Sequence, residues 1–311
     1  MRYILQLQQL WITRTGHGEL TVSDLTKQFA NYTFIRMKKL RDLKTALAVS
    51  ASLILLPAYQ CHAQDLDVPY VPTPHDVVTK MLEVTNVGPG DYVIDLGSGD
   101  GRIVIAAAER GAVGHGIDLN PVRVSEAVNN ARKAGVEDRV VFIEGDLFKH
   151  DINQATVITM YLLSSVNLKL RPHILELRPG TRIVSHAFSM GDWEADEHVR
   201  VDNRHVYYWV VPANIKGQWE WTSGGQRFTM NVDQEFQNID LDVRSGNRSL
   251  TVEEPLLSGD RINFAAVDRN NGNRYVFNGR IEDNSITGTA QIHSGNKQTI
   301  ENWSATSRGR R

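Results

Sequence analysis

The run VIDLGSGDGR (93–102) places three glycines at alternate positions, Gly97, Gly99 and Gly101, directly after an apolar strand whose acid is Asp95. Glycine turns between a strand and a helix cradle nucleotide-like ligands. In the dinucleotide fingerprint G-x-G-x-x-G, the glycines and the following helix N-terminus receive a pyrophosphate. Here the third glycine comes one position early, and two carboxylates, Asp95 and Asp100, flank the turn. Two unit charges about 4 Å apart repel by about 4 kcal/mol at an effective dielectric of about 20. A diphosphate is pushed out of such a loop, whereas a ligand that carries positive charge is not.

S-adenosylmethionine meets that requirement. It has a sulfonium and an ammonium for the carboxylates, one carboxylate for the helix amides after Gly101, and no phosphate. Glycine lets the backbone approach the amino-acid moiety. Asp118 follows the loop by about 20 residues, where an acid takes ribose hydroxyls in α/β nucleotide sites. Asp146, in EGDLF, can accept from the adenine amine, with Ile117, Leu119 and Leu147 as apolar walls. Each acid alone also reads as a strand-end cap. Their order and spacing together favour the ligand.

What the chain lacks narrows the acceptor. Residues 158–165 read ITMYLLSS, with no Asn-Pro-Pro-Tyr-like clamp for a base amine and no acid to hold magnesium. The one cysteine, Cys61, lies in a segment expected to be removed, so a thiolate adduct is excluded, and no Cys/His spacing reads as zinc. In-line displacement at a methyl carbon needs alignment and exclusion of water more than acid–base help at sulfur. A lysine acceptor of pKa about 10.4 costs about 4.6 kcal/mol to deprotonate at pH 7. An apolar channel lowers that cost. Met160, Tyr161 and the cluster Tyr207, Tyr208 and Trp209 are candidates for its lining, with core packing as the other reading. His186, at the end of a strand, is the candidate general base for an oxygen nucleophile, with a structural role as its alternative.

These residues need an open α/β sheet to position them. HDVVTKMLEVTNV (75–87), GRIVIAAAERG (101–111), PVRVSEAVNNARKAG (121–135, closed by Gly135) and 163–177 read as helices. DYVIDL (91–96), AVGHGIDL (112–119), RVVFIEGDL (139–147), ATVITMYL (155–162) and TRIVSHAF (181–188) read as strands. HVRVD and HVYYWVV (198–202, 205–211), two residues apart, read as an antiparallel edge hairpin.

DLGSGDGR, GIDLNP and EGDLF resemble motifs I, II and III of class I S-adenosylmethionine-dependent methyltransferases over roughly residues 68–211. PYVPTP (69–74) before a helix, with Leu119-Asn120-Pro121, is similar to the lysine methyltransferases of the ATP-synthase c-subunit and the adenine-nucleotide carrier. The resemblance implies S-adenosylmethionine as cofactor, a Rossmann-like sheet, mostly parallel with an antiparallel edge hairpin, and a protein lysine as acceptor. It implies cofactor contacts from Tyr70, Asp95, Gly97, Ser98, Gly99, Gly101, Asp118, Leu119, Asn120, Asp146 and Leu147, with PYVPTP as a cover; a proline-stiffened linker is the other reading of that segment. Tyr161 and His186 are the catalytic candidates, and no metal is expected. The alternatives are an exported binding protein that keeps the cofactor fold without transfer, and a small-molecule O- or N-methyltransferase.

Composition is that of a globular protein: 311 residues, 41% apolar and 23% charged, with net charge −2, so no basic excess points to nucleic acid. Residues 37–63 have a basic start, a short apolar run (45–57) and Cys61-His62-Ala63 before Gln64, the layout of a signal peptide for export to the periplasm or envelope. A membrane anchor facing the cytoplasm is the alternative, although the run is short against the roughly 20 residues that span a bilayer. Residues 1–36 precede a second start at Met37 and read as an upstream extension. Residues 64–212 form the methyltransferase domain, and 213–311 carry eight alternating strands, an antiparallel barrel or sandwich. Trp219, Trp221 and Trp303 read as its core or end plugs, with a ligand calyx as the alternative.

Overall fold

The computed structural model describes residues 70–309, so the expected extension 1–36 and export segment 37–63 lie outside the described residues. Among the described residues no helix is long and apolar enough to cross a membrane. The first half alternates α1 (His75–Val84), β1 (Tyr92–Leu96), α2 (Arg102–Glu109), β2 (Val113–Asp118), α3 (Pro121–Ala134), β3 (Val140–Glu144), β4 (Val157–Met160), α4 (Ser164–Leu175) and β5 (Arg182–His186). β6 (Glu197–Val201) and β7 (Arg204–Val210) follow as a hairpin. The sheet order is β3-β2-β1-β4-β5-β7-β6. β1 to β5 are parallel, β7 runs antiparallel to β5, and β6 pairs β7 at the edge. This is the expected Rossmann-like sheet with its antiparallel hairpin.

The central strands are buried along nearly their whole length because helices cover both faces. Val93, Val157 and Val184 pack under α1 and α2, with Met81, Leu82 and Val104 fully buried or nearly so. Ile94, Leu96, Ile117 and Ile158 face α4, which contributes Val166, Leu170 and Ile174. α3 shows how local chemistry sets the element ends. Asn120 accepts from the Val122 amide at 2.9 Å, Pro121 opens the first turn, and Gly135 closes it at φ 70.

Most elements are shorter than the periodicity predicts, four of them instructively. The first helix stops at Val84, where Thr85 Oγ1 donates to the Met81 carbonyl and Asn86 turns left-handed at φ 48. The third, fourth and fifth strands end at Glu144, Met160 and His186. The residues beyond them, Leu147, Leu162 and Phe188, are apolar but curl over the carboxyl edge of the sheet. Apolar pattern alone does not separate such a cleft wall from a strand.

The second half is all antiparallel: β8 (Gly217–Ser223), β9 (Gln226–Glu235), β10 (Asn238–Ser245), β11 (Arg248–Ser249), β12 (Thr251–Ser258), β13 (Arg261–Asp268), β14 (Asn273–Glu282), β15 (Ser285–Ser294) and β16 (Lys297–Ser307). Except for β11 and β12, each pairs its neighbour in sequence, and β16 returns to β8 through Thr306↔Glu220 and Ser307↔Trp219. β11 and β12 are two pieces of one strand joined at Leu250, whose amide donates to the Val243 carbonyl. The eight expected strands therefore form a nearly closed up-and-down barrel. Pro255 sits at a bulge in β12, where the ladder to β13 shifts register between Glu253 and Leu256.

Aromatic side chains fill the barrel. Trp221 stacks on Phe228 at 5.3 Å and meets Phe277 and Trp303 edge-on at 5.2 and 5.4 Å. The cross-strand pair Gly279↔Gly288 leaves room for Trp303, whose Cζ2 would lie 3.0 Å from a Cβ at Gly279. The Trp303 indole N–H donates to the Asn278 carbonyl. The three tryptophans are core, and the calyx alternative gives way to a packed interior. Trp221→Ala is expected to lower stability by about 3–5 kcal/mol in equilibrium urea unfolding; a loss below about 1 kcal/mol would contradict a close-packed barrel.

Candidate functional site

The strand order reverses between β1 and β4, and ligands of open α/β sheets bind outside the carboxyl ends of the strands at such a point. A cleft lies there, walled by the turns after β1, β2, β3 and β4 and by residues 70–73. Of the expected cofactor residues, Tyr70, Asp95, Gly97, Ser98, Gly99, Asp118, Leu119, Asn120, Asp146 and Leu147 line it, and Tyr161 closes one end with Leu162 and Val166. Gly101, Ile117 and His186 do not line it.

Asp95 is the floor. It is 2% exposed, and Thr159 Oγ1 on the neighbouring strand donates to its Oδ1 at 2.7 Å. Burial raises its pKa to about 7, and the nearby Asp118 and Asp100 carboxylates add to the shift against the Thr159 hydrogen bond. Asp118, at the end of β2, accepts from the Gly99 amide through Oδ2 and from the Asn120 amide through Oδ1, both at 2.8 Å. It is both a cap and a cleft residue, because a carboxylate oxygen accepts more than one hydrogen bond. Asp146 sits at the rim. Its carboxyl lies below the usual range because the Phe148 amide donates to it and Lys149 pairs with it at 3.1 Å.

Several expected roles change. Asp100 is not a free negative charge: Arg102 Nε and Nη2 grip it at 2.9 and 2.6 Å. Burial pushes its carboxyl up, and the guanidinium more than offsets this, leaving it below the ordinary value. The acidity that faces the cleft therefore comes from Asp95 and Asp118. The glycines also serve the protein's own packing. A Cβ at Gly97 would sit 2.8 Å from Leu162 Cδ2, and one at Gly99 would sit 2.5 Å from the Tyr70 ring. Gly101, at φ 81, would strike Phe142 at 2.6 Å beneath the loop. The loop amides are also engaged: Gly97 and Ser98 donate to the Ile117 carbonyl and Arg102 to Asp100 Oδ1. Ile117 is fully buried, so Leu119 and Leu147 are the apolar walls.

Two arginines missed by sequence reading complete the cleft. Arg102 Nη1 donates to the Thr73 carbonyl at 2.8 Å, clasping the 70–73 segment onto the loop. The Arg123 guanidinium lies 4.6 Å above the Tyr70 ring, a cation–π contact. Arg102 directly follows the last glycine, so its position was readable; that Arg123 meets Tyr70 across fifty residues was not.

At the other end, Tyr161 packs on His186 with ring centroids 3.9 Å apart, and on Phe188 at 6.1 Å. His186 lies behind Tyr161, 3% exposed, with Nδ1 3.3 Å from Thr73 Oγ1. Burial, with Arg204 adding to it, lowers its pKa to about 4, so it is neutral at pH 7. The edge-strand aromatics are elsewhere: Trp209 is buried and donates to the Trp193 carbonyl, Tyr207 stacks on His198, and Met160 is in the core.

The cleft is suited to a cationic ligand, since a positive group beside Asp95 stabilises the carboxylate that burial disfavours. An acid whose folded pKa is raised holds its proton in the folded state over about pH 4–7, where the unfolded chain has released it. Stability of the free protein from this group thus falls as pH rises through that window. Binding of an ammonium-bearing ligand should strengthen by up to about tenfold per pH unit from pH 5.5 to 7, level off above it, and release a proton. Calorimetry with S-adenosyl-homocysteine in two buffers reads both; an affinity flat from pH 5.5 to 8 would refute the linkage.

A family profile, the ANTKMT methyltransferase domain, matches residues 95–197. The protein-lysine N-methyltransferase of Saccharolobus islandicus is 46% identical over 153 residues, covering 46% of this chain and 94% of that protein. The mouse adenine nucleotide translocase lysine N-methyltransferase is 34% identical over 173 residues, covering 52% and 75%. A solved Salinibacter ruber RNA methyltransferase in complex with S-adenosyl-L-homocysteine is 54% identical, with a TM-score of 0.46, covering 47% of this chain and 96% of that one. With its switch-point cleft and the acids of β1 and β2, the chain belongs to the class I S-adenosylmethionine-dependent methyltransferases, in the family of the adenine nucleotide translocase lysine methyltransferases.

Proposed function

We propose that this enzyme transfers the methyl group in line to the side-chain amine of a protein lysine, entering past Tyr161. When bound, S-adenosylmethionine supplies an electrophilic methyl on a cationic sulfur. Asp95 and Asp118 would hold the positive and hydroxyl-bearing parts of that cofactor, Leu119 and Leu147 would flank its base, and Asp146 would accept from the base amine. The observation that carries the lysine reading is the apolar, aromatic end of the cleft, Tyr161, Leu162 and Val166, backed by a neutral His186. A lysine amine must lose its proton to attack, and desolvation there favours the neutral amine. The lysine substrates named for the relatives agree with this chemistry.

The test is incubation of the purified protein with methyl-labelled cofactor and an envelope-fraction lysate, with Asp118→Ala as control. Label should appear on lysine in a protein band and vanish with the substitution. Label confined to RNA, lipid or small molecules would overturn the lysine reading. Tyr161→Ala is expected to slow transfer by about 10- to 100-fold while S-adenosyl-homocysteine affinity stays within about twofold; equal losses in both would place Tyr161 on the cofactor side instead.

We also read residues 37–63 as an export signal, which puts the acceptor in the cell envelope. N-terminal sequencing of protein from the periplasmic fraction should begin at Gln64. A chain that keeps Met37 would overturn it.

A further inference from the structure

The family profile ends at residue 197, before the barrel begins, and aromatic side chains fill the barrel's interior. Its turn between β9 and β10, Phe236-Gln237, reaches the methyltransferase half. The Gln237 amide is used at both ends: Oε1 accepts from the Trp193 indole N–H at 2.9 Å, and Nε2 donates to the Glu194 carbonyl at 2.9 Å. The Phe236 ring stacks on Trp193 at 5.9 Å and 18°, with the Arg171 guanidinium 5.3 Å from its centroid. Phe236 holds φ 54. A bulky residue seldom adopts that region, which favours glycine. The turn thus keeps an aromatic where local preference opposes one.

The contacts continue to the cleft. Trp193 is fully buried, and its carbonyl accepts from the Trp209 indole, so it anchors the segment between β5 and β6. Arg171, on α4, donates to the Met190 carbonyl at 2.8 Å and pairs with Asp192. Asn167, one turn earlier, donates to the Phe188 and Ser189 carbonyls at 3.1 and 3.3 Å. Phe188 stacks on Tyr161. α4 itself starts three residues after Tyr161.

We propose that Phe236 and Gln237 of the barrel are positioning residues for the acceptor end of the cleft: they brace residues 188–194 and α4, and through them the Tyr161 ring. The proposal rests on the reading of Tyr161 as the acceptor side. The barrel is then a rigid support rather than a binding module.

The test uses the whole protein with Phe236→Ala, Gln237→Ala and the conservative Phe236→Tyr. Hydrogen exchange is followed in residues 161–168 and 186–194, in the cofactor turn 95–101, and in β13–β15. S-adenosyl-homocysteine affinity is measured by calorimetry, and transfer by the labelled-band assay at saturating cofactor. For the two alanine variants, exchange in 161–168 and 186–194 should rise about tenfold or more, with the turn, the far strands and the cofactor affinity unchanged. Transfer should fall about tenfold, and Phe236→Tyr should restore it. Unchanged exchange in 161–168, exchange raised everywhere, or wild-type transfer despite raised exchange would each overturn the proposal. If Phe236→Ala does not fold, Gln237→Ala decides. Exchange uses no acceptor, so a cleft that loosens as expected while no lysine is labelled would sink the acceptor reading and leave the brace standing.

Discussion

A carboxylate buried at the end of the central strand is the constraint around which the cleft is built. Asp95 is almost out of contact with water, has one hydroxyl donor, and has Asp118 for a neighbour, so the free protein holds it between charged and neutral near pH 7. The surrounding structure limits that cost without removing it. Arg102 takes up the charge of Asp100, and backbone amides take up part of Asp118. What is left is a pair of acids at the switch point of the sheet, which a cation completes. Polar strain of this kind is kept where binding relieves it.

Much of this was legible in the residues, for a physical reason. The order Asp95, Gly97, Gly99, Asp118, Asp146 follows the strand ends of a βαβ sheet, and strand ends are where the chain must turn over the carboxyl edge. Periodicity located the strands, and the two-residue spacing at 203–204 located the hairpin, whose turn falls one residue earlier, at 202–203. Three things were hidden. Asp100 looked like a free charge because its partner Arg102 folds back two residues, a side-chain choice that spacing does not reveal. Gly97 and Gly99 line the cleft as expected, but Leu162 and Tyr70 also press on them from distant segments, a second demand for glycine that spacing does not show. Ile117 looked like a cleft wall because alternation places it beside Leu119, but the strand ends at Asp118 and only Leu119 turns outward.

The barrel was readable as strands and unreadable as a machine part. Alternation and turn signals gave its count, and Gly279 gave no warning that a tryptophan packs against it. The contacts that join it to the cleft come from a single two-residue turn. Polar residues are ordinary in a hairpin turn, and the role of this one appears only when Trp193 and Arg171 are seen to meet Phe236.

The return of β16 to β8 has a consequence for synthesis. The methyltransferase sheet has all seven strands once Val210 has left the ribosome, whereas β8 gains its second neighbour only when β16 emerges. The two halves therefore mature in sequence, the nucleotide-binding half first, and through that interval the growing barrel presents an unpaired edge. Loss of β16 would leave that edge open for good, turning a support into a surface that seeks strands from other chains.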